Sequence, residues 1–517
     1  MAISLALPIT TLQPISHAMG EQAQPRLPAS GQRILSALKW NVSGEVVGQA
    51  IRFAFGIALA RLLSPRDFGL MAMLMVLIQV VISNADLGLE DALIQKREIT
   101  EVHRSSVFWI LMLAGGVLAA AQIAVAPWIA RLYGVDELRD LAFGLSAVFL
   151  LRGIGTVPRA MIARQLDFRA TTSRWCAAVT LGGTCAVILA WYGFGVVSLA
   201  VEIVVSTATE SVLLWSASRW RPRLEVSSAA LRELFGFSAY RPATRALNYW
   251  AQRIDQLLVG KLLGSSVLGL YARAFNVTRF PVMSVARVIL DVMFPSLAGI
   301  QGDAARMRSI YVRATGAVAL ACVPIAMGLS ATAEPFVLVV LGPQWKGAIP
   351  ILRILSLAAL FESLIVFTTS LYLAHGRADL VLRLTVAQRA LSIGAVVLAL
   401  RWGALGVATA QLLCAVVNVL PMLYFAGTLV DLPIGTVLTQ LSRVFLAGAV
   451  MMVLVVALGA WATPRLGMLG TLGLEVLVGI VAYWAALHLL RVGAYRDLTE
   501  VVLARAPAGQ EPTPRLG

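Results

Sequence analysis

Apolar stretches of about twenty residues recur along almost the whole chain, separated by short polar segments. Each is long enough to cross a hydrocarbon core about 30 Å thick as an α-helix. The pattern predicts about fourteen spanning helices. The first six lie near residues 38–60, 68–88, 107–130, 140–158, 176–192 and 196–217. The next six lie near 242–263, 267–297, 315–341, 349–373, 382–400 and 404–427, and a last pair near 443–463 and 468–490. The expected fold class is an all-α polytopic membrane protein.

Polar segments divide these helices. Residues 1–36 read as a flexible cytoplasmic tail: the apolar start lacks a basic flank and is interrupted by Pro8 and Pro14, unlike a signal peptide. Residues 37–218 form an N-terminal six-helix lobe, 219–241 a basic cytoplasmic linker and 242–428 a C-terminal six-helix lobe. An additional helix pair spans 443–490, and 491–517 form a second cytoplasmic tail.

The two six-helix halves repeat one another. Arg61-Leu62-Leu63-Ser64-Pro65-Arg66-Asp67-Phe68-Gly69-Leu70 matches Lys261-Leu262-Leu263-Gly264-Ser265-Ser266-Val267-Leu268-Gly269-Leu270, where the first helix of each half meets its second. Ala126-Pro127 and Gly134 echo Glu334-Pro335 and Gly342, and Gly195-Val196 echoes Gly406-Val407. The offset drifts from about 200 to about 211 residues, as expected when loops vary and helices persist. An even helix count gives both halves the same orientation, with a pseudo-two-fold axis along the membrane normal and a central cavity between the lobes.

Composition and charge agree with this reading. The chain is 59% hydrophobic and 13% charged, about half the charged share of a soluble domain. Its 42 Lys/Arg against 27 Asp/Glu give a net charge of +15. The basic residues lie between hydrophobic runs and form no tail or stripe, so the excess is assigned to membrane orientation and not to nucleic acid. With the N-terminus inside, inner segments collect roughly 27 Lys/Arg and outer loops roughly 8. Both termini are expected in the cytoplasm. Trp128, Trp191, Trp402 and Trp461, near helix ends, read as interfacial anchors.

Candidate chemistry lies where polar residues enter the apolar stretches. Charge at mid-bilayer costs about 2.5–3.5 kcal/mol on insertion scales, so such side chains usually face protein or water. Asn41, Glu45, Gln49 and Arg52 share one face of the first helix. Arg245, Asn248, Tyr249, Gln252, Asp255 and Gln256 share a face of the seventh, with Arg253 at its flank. On the eighth, Arg273, Asn276, Ser284, Arg287 and Asp291 share a face. The candidate binding residues are Glu45, Gln49, Arg52, Gln252, Arg253, Asp255, Arg273 and Arg287, as a hydrated cationic cavity for an anionic head group. The competing reading is helix–helix glue, such as Arg287 with Asp291. For Glu202, Glu210, Arg353 and Glu362 the structural role leads.

No metal, phosphate-loop or nucleophile motif is present. The four cysteines, Cys176, Cys185, Cys322 and Cys414, lie in apolar runs and read as small buried hydrophobes. The expectation is a protein without cofactor and without enzymatic activity. A membrane-embedded polysaccharide polymerase or ligase is the alternative from another class; it needs a catalytic surface outside, and every outer loop is too short.

The seventh and eighth helices also carry a resemblance. Arg253-Ile254-Asp255-Gln256-Leu257-Leu258-Val259-Gly260, then Leu268-Gly269-Leu270-Tyr271, Phe294-Pro295-Ser296-Leu297 and Gly342-Pro343-Gln344-Trp345, resemble the polysaccharide-transport family of oligosaccharide flippases, as do Leu62-Leu63-Ser64-Pro65-Arg66-Asp67-Phe68-Gly69 and Ser106-Val107-Phe108-Trp109. The resemblance covers roughly residues 36–430. It implies membership of the multidrug, oligosaccharidyl-lipid and polysaccharide exporter superfamily. It implies movement of undecaprenyl-pyrophosphate-linked oligosaccharide across the bacterial inner membrane by alternating access, for exopolysaccharide, capsule or O-antigen assembly. By analogy it implies H+ or Na+ as coupling ion and a separate polymerase and export machinery downstream. Arg52 and Arg253 would then face water and neutralise the pyrophosphate. A drug/cation antiporter and a peptidoglycan-precursor flippase share the implied fold. The basic stripes speak against the former, and sequence separates the latter poorly.

Overall fold

The computed structural model describes residues 31–165, 168–218, 220–238, 241–298 and 304–492, and every regular element among them is helical. In chain order these are α1 (Gly31–Leu62), α2 (Pro65–Asn84), α3 (Leu89–Gln95), α4 (Glu101–Tyr133), α5 (Glu137–Arg164), α6 (Phe168–Trp191), α7 (Val197–Ala217), α8 (Ser228–Ser238), α9 (Arg241–Leu263), α10 (Ser265–Ala298), α11 (Ala304–Ala331) and α12 (Ala333–Phe336). After a π turn (Val337–Leu341) and a 3-10 segment (Pro343–Ala348) follow α13 (Ile349–Leu364), α14 (Val366–Ala374), α15 (Ala378–Ala399), α16 (Gly403–Leu429) and α17 (Ile434–Leu489). The expected tails fall largely outside the described residues.

Local sequence explains the boundaries. Ser64 and Asp67 cap α2 reciprocally: Ser64 Oγ accepts from the Asp67 amide at 3.3 Å and Asp67 Oδ2 from the Ser64 amide at 2.9 Å. Pro65 follows at the first helical position, where its missing N–H costs nothing.

Among the described residues, nine helical stretches are long and apolar enough to cross a membrane. Two of them, Asp379–Leu429 and Ile434–Leu489, hold 51 and 56 residues. A straight helix of the second length would span about 84 Å, far more than a bilayer core. It folds back instead at Gly467, whose φ of 68° and ψ of 174° leave the helical region. Residues equidistant from that break face one another, Val455 against Gly479 and Gly459 against Glu475, so α17 is an antiparallel hairpin. The other stretch is likewise interrupted, at Leu400–Trp402 and Gly403, and its halves α15 and α16 pack together. Helices α1, α9 and α10, of 32, 23 and 34 residues, stand outside the nine, and α9 is the most polar of the three.

The helices gather into two lobes. In the N-terminal one, α4 packs on α5, α6 on α7 and α1 on α6; in the C-terminal one, α10 and α11 pack on α13, α13 on α16 and α15 on α16. The α17 hairpin lies along α11. The lobes meet where α2 crosses α10 and α9, and one apolar core runs through that junction, including Leu59, Leu70, Leu145, Val259, Leu268, Tyr271, Trp345 and Leu352.

The segment between the lobes holds a helix that the apolar pattern did not indicate. Helix α8 buries Ala230 and Leu234, the latter within an apolar cluster with Leu89, Leu93, Val107 and Phe108 of the N-terminal lobe. The chain leading to it is strapped to α4. Ser105 Oγ accepts from the Arg223 amide at 3.1 Å, Ser106 Oγ from the Ser227 amide at 2.9 Å, and Trp109 Nε1 donates to the Arg223 carbonyl at 2.8 Å. Residues 220–238 therefore belong physically to the N-terminal lobe.

Candidate functional site

A cavity of about 150 Å³ opens between the lobes, lined by Gln49, Arg52, Phe53 and Gly56 of α1 and by Arg273, Asn276, Val277 and Phe280 of α10. Spacings of three and four residues put each set on one helix face. Phe53 and Phe280 stack across the gap with centroids 6.3 Å apart. Arg273 reaches from one lobe into the other: Nη2 donates to the Gly56 carbonyl at 2.6 Å and the guanidinium lies over the Phe68 ring at 5.2 Å. Its Nε is shielded and has no acceptor among the described residues. Arg52 is exposed to the cavity side, with its guanidinium over Trp175 at 5.3 Å. Glu202 of α7 interacts electrostatically with both arginines. Among the described residues, two guanidinium groups against one carboxylate make the site positive, with donors suited to phosphate oxygens.

Three of the expected residues, Gln49, Arg52 and Arg273, thus come together. Phe53, Gly56 and Phe280 join them without having been singled out; their spacing from Gln49, Arg52 and Asn276 was the available signal. Those of the remainder whose side chains are described do not line this cavity. Arg253 sits over the Phe275 ring at 5.3 Å, and Arg279 lies over the same ring at 5.2 Å. Arg279 also pairs with Glu362 at 2.8 Å. Asp255 is only 1% exposed; its Oδ2 accepts from Tyr271 Oη at 2.7 Å and from Gln411 Nε2 at 3.2 Å, which places it inside the C-terminal lobe. Gln252 and Arg287 are exposed. The side chains of Glu45, Arg245, Asn248 and Asp291 lie outside the described residues. Glu210 and Arg353 have ion-pair partners, Arg159 at 3.0 Å and Glu334 at 3.4 Å.

A second cavity, about 750 Å³, runs between α10, α11 and the α17 hairpin. Its walls are apolar, with Leu320, Ile325, Val455, Ile480 and Trp484 among them, and among the described residues Glu475 is the one charged lining group.

The two-lobed helical fold is shared with the inward-facing conformation of a multidrug resistance MATE family transporter of the MOP superfamily, which matches with a TM-score of 0.55 over 73% of this chain and 95% of that one, at 14% identity. The chain belongs to the polysaccharide biosynthesis protein family, whose match covers residues 58–350. Over 390 residues it is 27% identical to the lipopolysaccharide biosynthesis protein WzxC of Escherichia coli strain K12, a match covering 75% of this chain and 79% of that protein. Over 321 residues it is 29% identical to the succinoglycan biosynthesis transport protein ExoT of Rhizobium meliloti strain 1021, covering 62% of this chain and 65% of that one. Among solved structures, the inward closed conformation of the lipid II flippase MurJ matches with a TM-score of 0.70 over 89% of this chain and 99% of that one, at 14% identity. That last likeness is one of fold.

Proposed function

We propose that the chain is a flippase that carries undecaprenyl-pyrophosphate-linked oligosaccharide units from the cytoplasmic to the periplasmic leaflet of the inner membrane by alternating access. The observation that carries this reading is the pair Arg52 and Arg273, contributed by opposite lobes to one cavity, with a shielded Arg273 donor left over for a ligand. A pyrophosphate offers that donor an acceptor, and an arginine fork binds it through two parallel hydrogen bonds. The apolar cavity along α17 suits the prenyl chain of the same amphiphilic substrate. Gln49 takes part in sugar or phosphate contacts, and Glu45, Gln252, Arg253, Asp255 and Arg287 act along the path or support it. The names of the relatives, concerned with lipopolysaccharide and succinoglycan, favour exopolysaccharide, capsule or O-antigen assembly, with a polymerase downstream and an H+ or Na+ gradient driving the cycle.

In this reading the chain crosses the membrane fourteen times with both termini in the cytoplasm. The nine apolar stretches count as eleven crossings once the two hairpins are opened, and α1, α9 and α10 supply three polar-faced ones. A peptidoglycan-precursor flippase is the second reading, favoured by the fold likeness to MurJ.

Deletion of the gene tests the proposal. It should abolish a surface polysaccharide and leave lipid-linked units at the cytoplasmic leaflet, while peptidoglycan synthesis continues. Normal polysaccharide in a clean deletion without a redundant homologue would remove the assignment.

A further inference from the structure

At the end of the bundle away from α8, the lobes are joined by contacts that repeat across the pseudo-two-fold axis. Helices α2 and α10 cross there backbone to backbone. A methyl group at Gly69 would overlap the Ser265 carbonyl, and one at Gly269 would overlap the Pro65 carbonyl while lying 3.0 Å from the Gly69 nitrogen. No side chain fits between them, and neither could a sugar. Gly69 and Gly269 are matching positions of the repeat.

Beside the crossing, each lobe extends a cation to the other. Arg61, at the end of α1, donates through Nε to the Val340 carbonyl at 3.1 Å and through Nη2 to the Val339 carbonyl. Lys261, at the end of α9, donates to the Leu132 carbonyl. Arg61 and Lys261 are matching positions, and the Gly134–Gly342 match puts Leu132 opposite Val340. The acceptors share one cause: α4 ends at Tyr133 and the π turn at Leu341, so these terminal carbonyls have no partner further along their own helix and carry the negative end of its dipole.

The two clasps are unequal. On the Arg61 side, Gln344 Nε2 and Trp345 Nε1 also donate to the Ala60 carbonyl, at 2.8 and 2.7 Å. The residue matching Trp345 is Glu137, which pairs with Arg66 of its own lobe at 2.9 Å. The Arg61 clasp therefore has supplementary bonds across the lobes where the matching N-terminal position is turned inward.

We propose that the Gly69–Gly269 crossing with its Arg61 and Lys261 clasps is the outer gate of the transport path, and that its Lys261 side is the one that releases first. The proposal rests on the alternating-access reading above. Both cations are exposed and their acceptors are backbone carbonyls, so water can replace each bond when the lobes part. A seal made this way opens without stranding a buried charge. Arg61→Ala leaves α1 held by Gln344 and Trp345, whereas Lys261→Ala removes the cation of its clasp outright.

The test places a single reporter cysteine at Asn276, in the interlobe cavity, after replacement of Cys176, Cys185, Cys322 and Cys414. A membrane-impermeant maleimide is added outside intact spheroplasts. The starting protein should label slowly. Lys261→Ala should raise outside labelling roughly fivefold, the worth of one ordinary hydrogen bond in an open-to-closed ratio. Arg61→Ala should raise it less, and adding Trp345→Phe, which leaves only the Gln344 bond to Ala60, should narrow the difference. Gly69→Ala should label fastest; should it fail to accumulate, the Lys261 and Arg61 variants, which leave the backbone crossing intact, decide alone. Unchanged outside labelling of the Arg61→Ala/Lys261→Ala double variant at normal abundance overturns the gate. A larger effect of Arg61→Ala than of Lys261→Ala overturns the order of release. Labelling needs no substrate, so a gate that behaves as stated alongside normal polysaccharide in the deletion strain would count against the substrate and not against the gate.

Discussion

Tyr271 donates its hydroxyl to Asp255 Oδ2 at 2.7 Å inside the C-terminal lobe, and neither residue exceeds 1% exposure. The bond joins α10 to α9, and Gln411 adds α16 at 3.2 Å. A buried carboxylate that loses a donor suffers more than the bond itself is worth, because its desolvation is no longer offset. Tyr271→Phe should therefore lower stability by about 1.5–3 kcal/mol. Asp255→Asn should cost less, since an amide oxygen still accepts from Tyr271 and Gln411. Thermal unfolding in detergent, with membrane abundance, measures both. Equal and negligible shifts would show that the carboxylate is held by something other than this triad.

Arg52 and Arg273 should behave differently although both line the cavity. Arg273 holds the Gly56 carbonyl of α1 as well as facing the cavity, so Arg273→Ala should reduce abundance and export together. Arg52, stacked on Trp175, should give reduced export at normal abundance when changed to Ala. Arg52→Lys should be intermediate, keeping charge but losing the planar fork. Arg253→Ala should also lower export at normal abundance. Wild-type export from an Arg52→Ala/Arg253→Ala protein at normal abundance would remove both residues from the transport path.

What could be read from sequence follows from the range of each interaction. The α1 stripe of Gln49 and Arg52 is set by helical period, which is local, and it does face the interlobe cavity. Asp255 shares a face with Gln252 in the same arithmetic, yet its environment is decided by Tyr271 and Gln411, far away in sequence, and they draw it into the lobe. The Gly69 and Gly269 match was visible as a repeat. That each glycine answers a carbonyl of the other lobe was not, because crossing helices leave no periodic trace. Helix α8 was hidden for another reason: eleven residues are too few to register against long apolar runs, and its burial depends on Ser105, Ser106 and Trp109 of α4.

That docking of α8 should respond to acid. Outside the spanning helices, Glu233 accepts from Lys96 at 2.7 Å and lies 3.3 Å from His103 Nε2. The hydrogen bond from Lys96, and then that from His103, hold its carboxyl below the usual carboxylate range. A lowered pKa in the docked state means the contribution is present above the free-carboxyl value and is lost as pH falls through the docked value. Acid below the usual carboxylate range, and not a drop toward neutrality, should loosen α8. Glu233→Gln should weaken docking at neutral pH and abolish the acid response. Hydrogen exchange of the α8 amides reports both. Identical exchange in wild type and variant at every pH would assign docking to buried Ala230 and Leu234 and the strap bonds to Ser105, Ser106 and Trp109.

The Gly467 hairpin makes the topology testable at one position. With fourteen crossings and a cytoplasmic N-terminus, the first half of α17 leaves the cytoplasm and the second returns to it. The turn, where Leu466 and Leu469 are exposed, then lies in the periplasm. A reporter inserted there should be active on the periplasmic side, whereas reporters in the exposed strap at Leu224 and after Arg491 should be cytoplasmic. The chain charge supports this direction, since Lys and Arg concentrate on the segments assigned to the inside. Insertion at the turn should also be tolerated, because a tip residue at positive φ donates nothing to a helix interior and faces away from the packed halves. A cytoplasmic signal at the Gly467 turn, or a periplasmic one at Leu224, would reverse or break the assignment. Equal signals on both sides of α17, with none at its turn, would mean that the hairpin does not cross the bilayer and that the count falls by two.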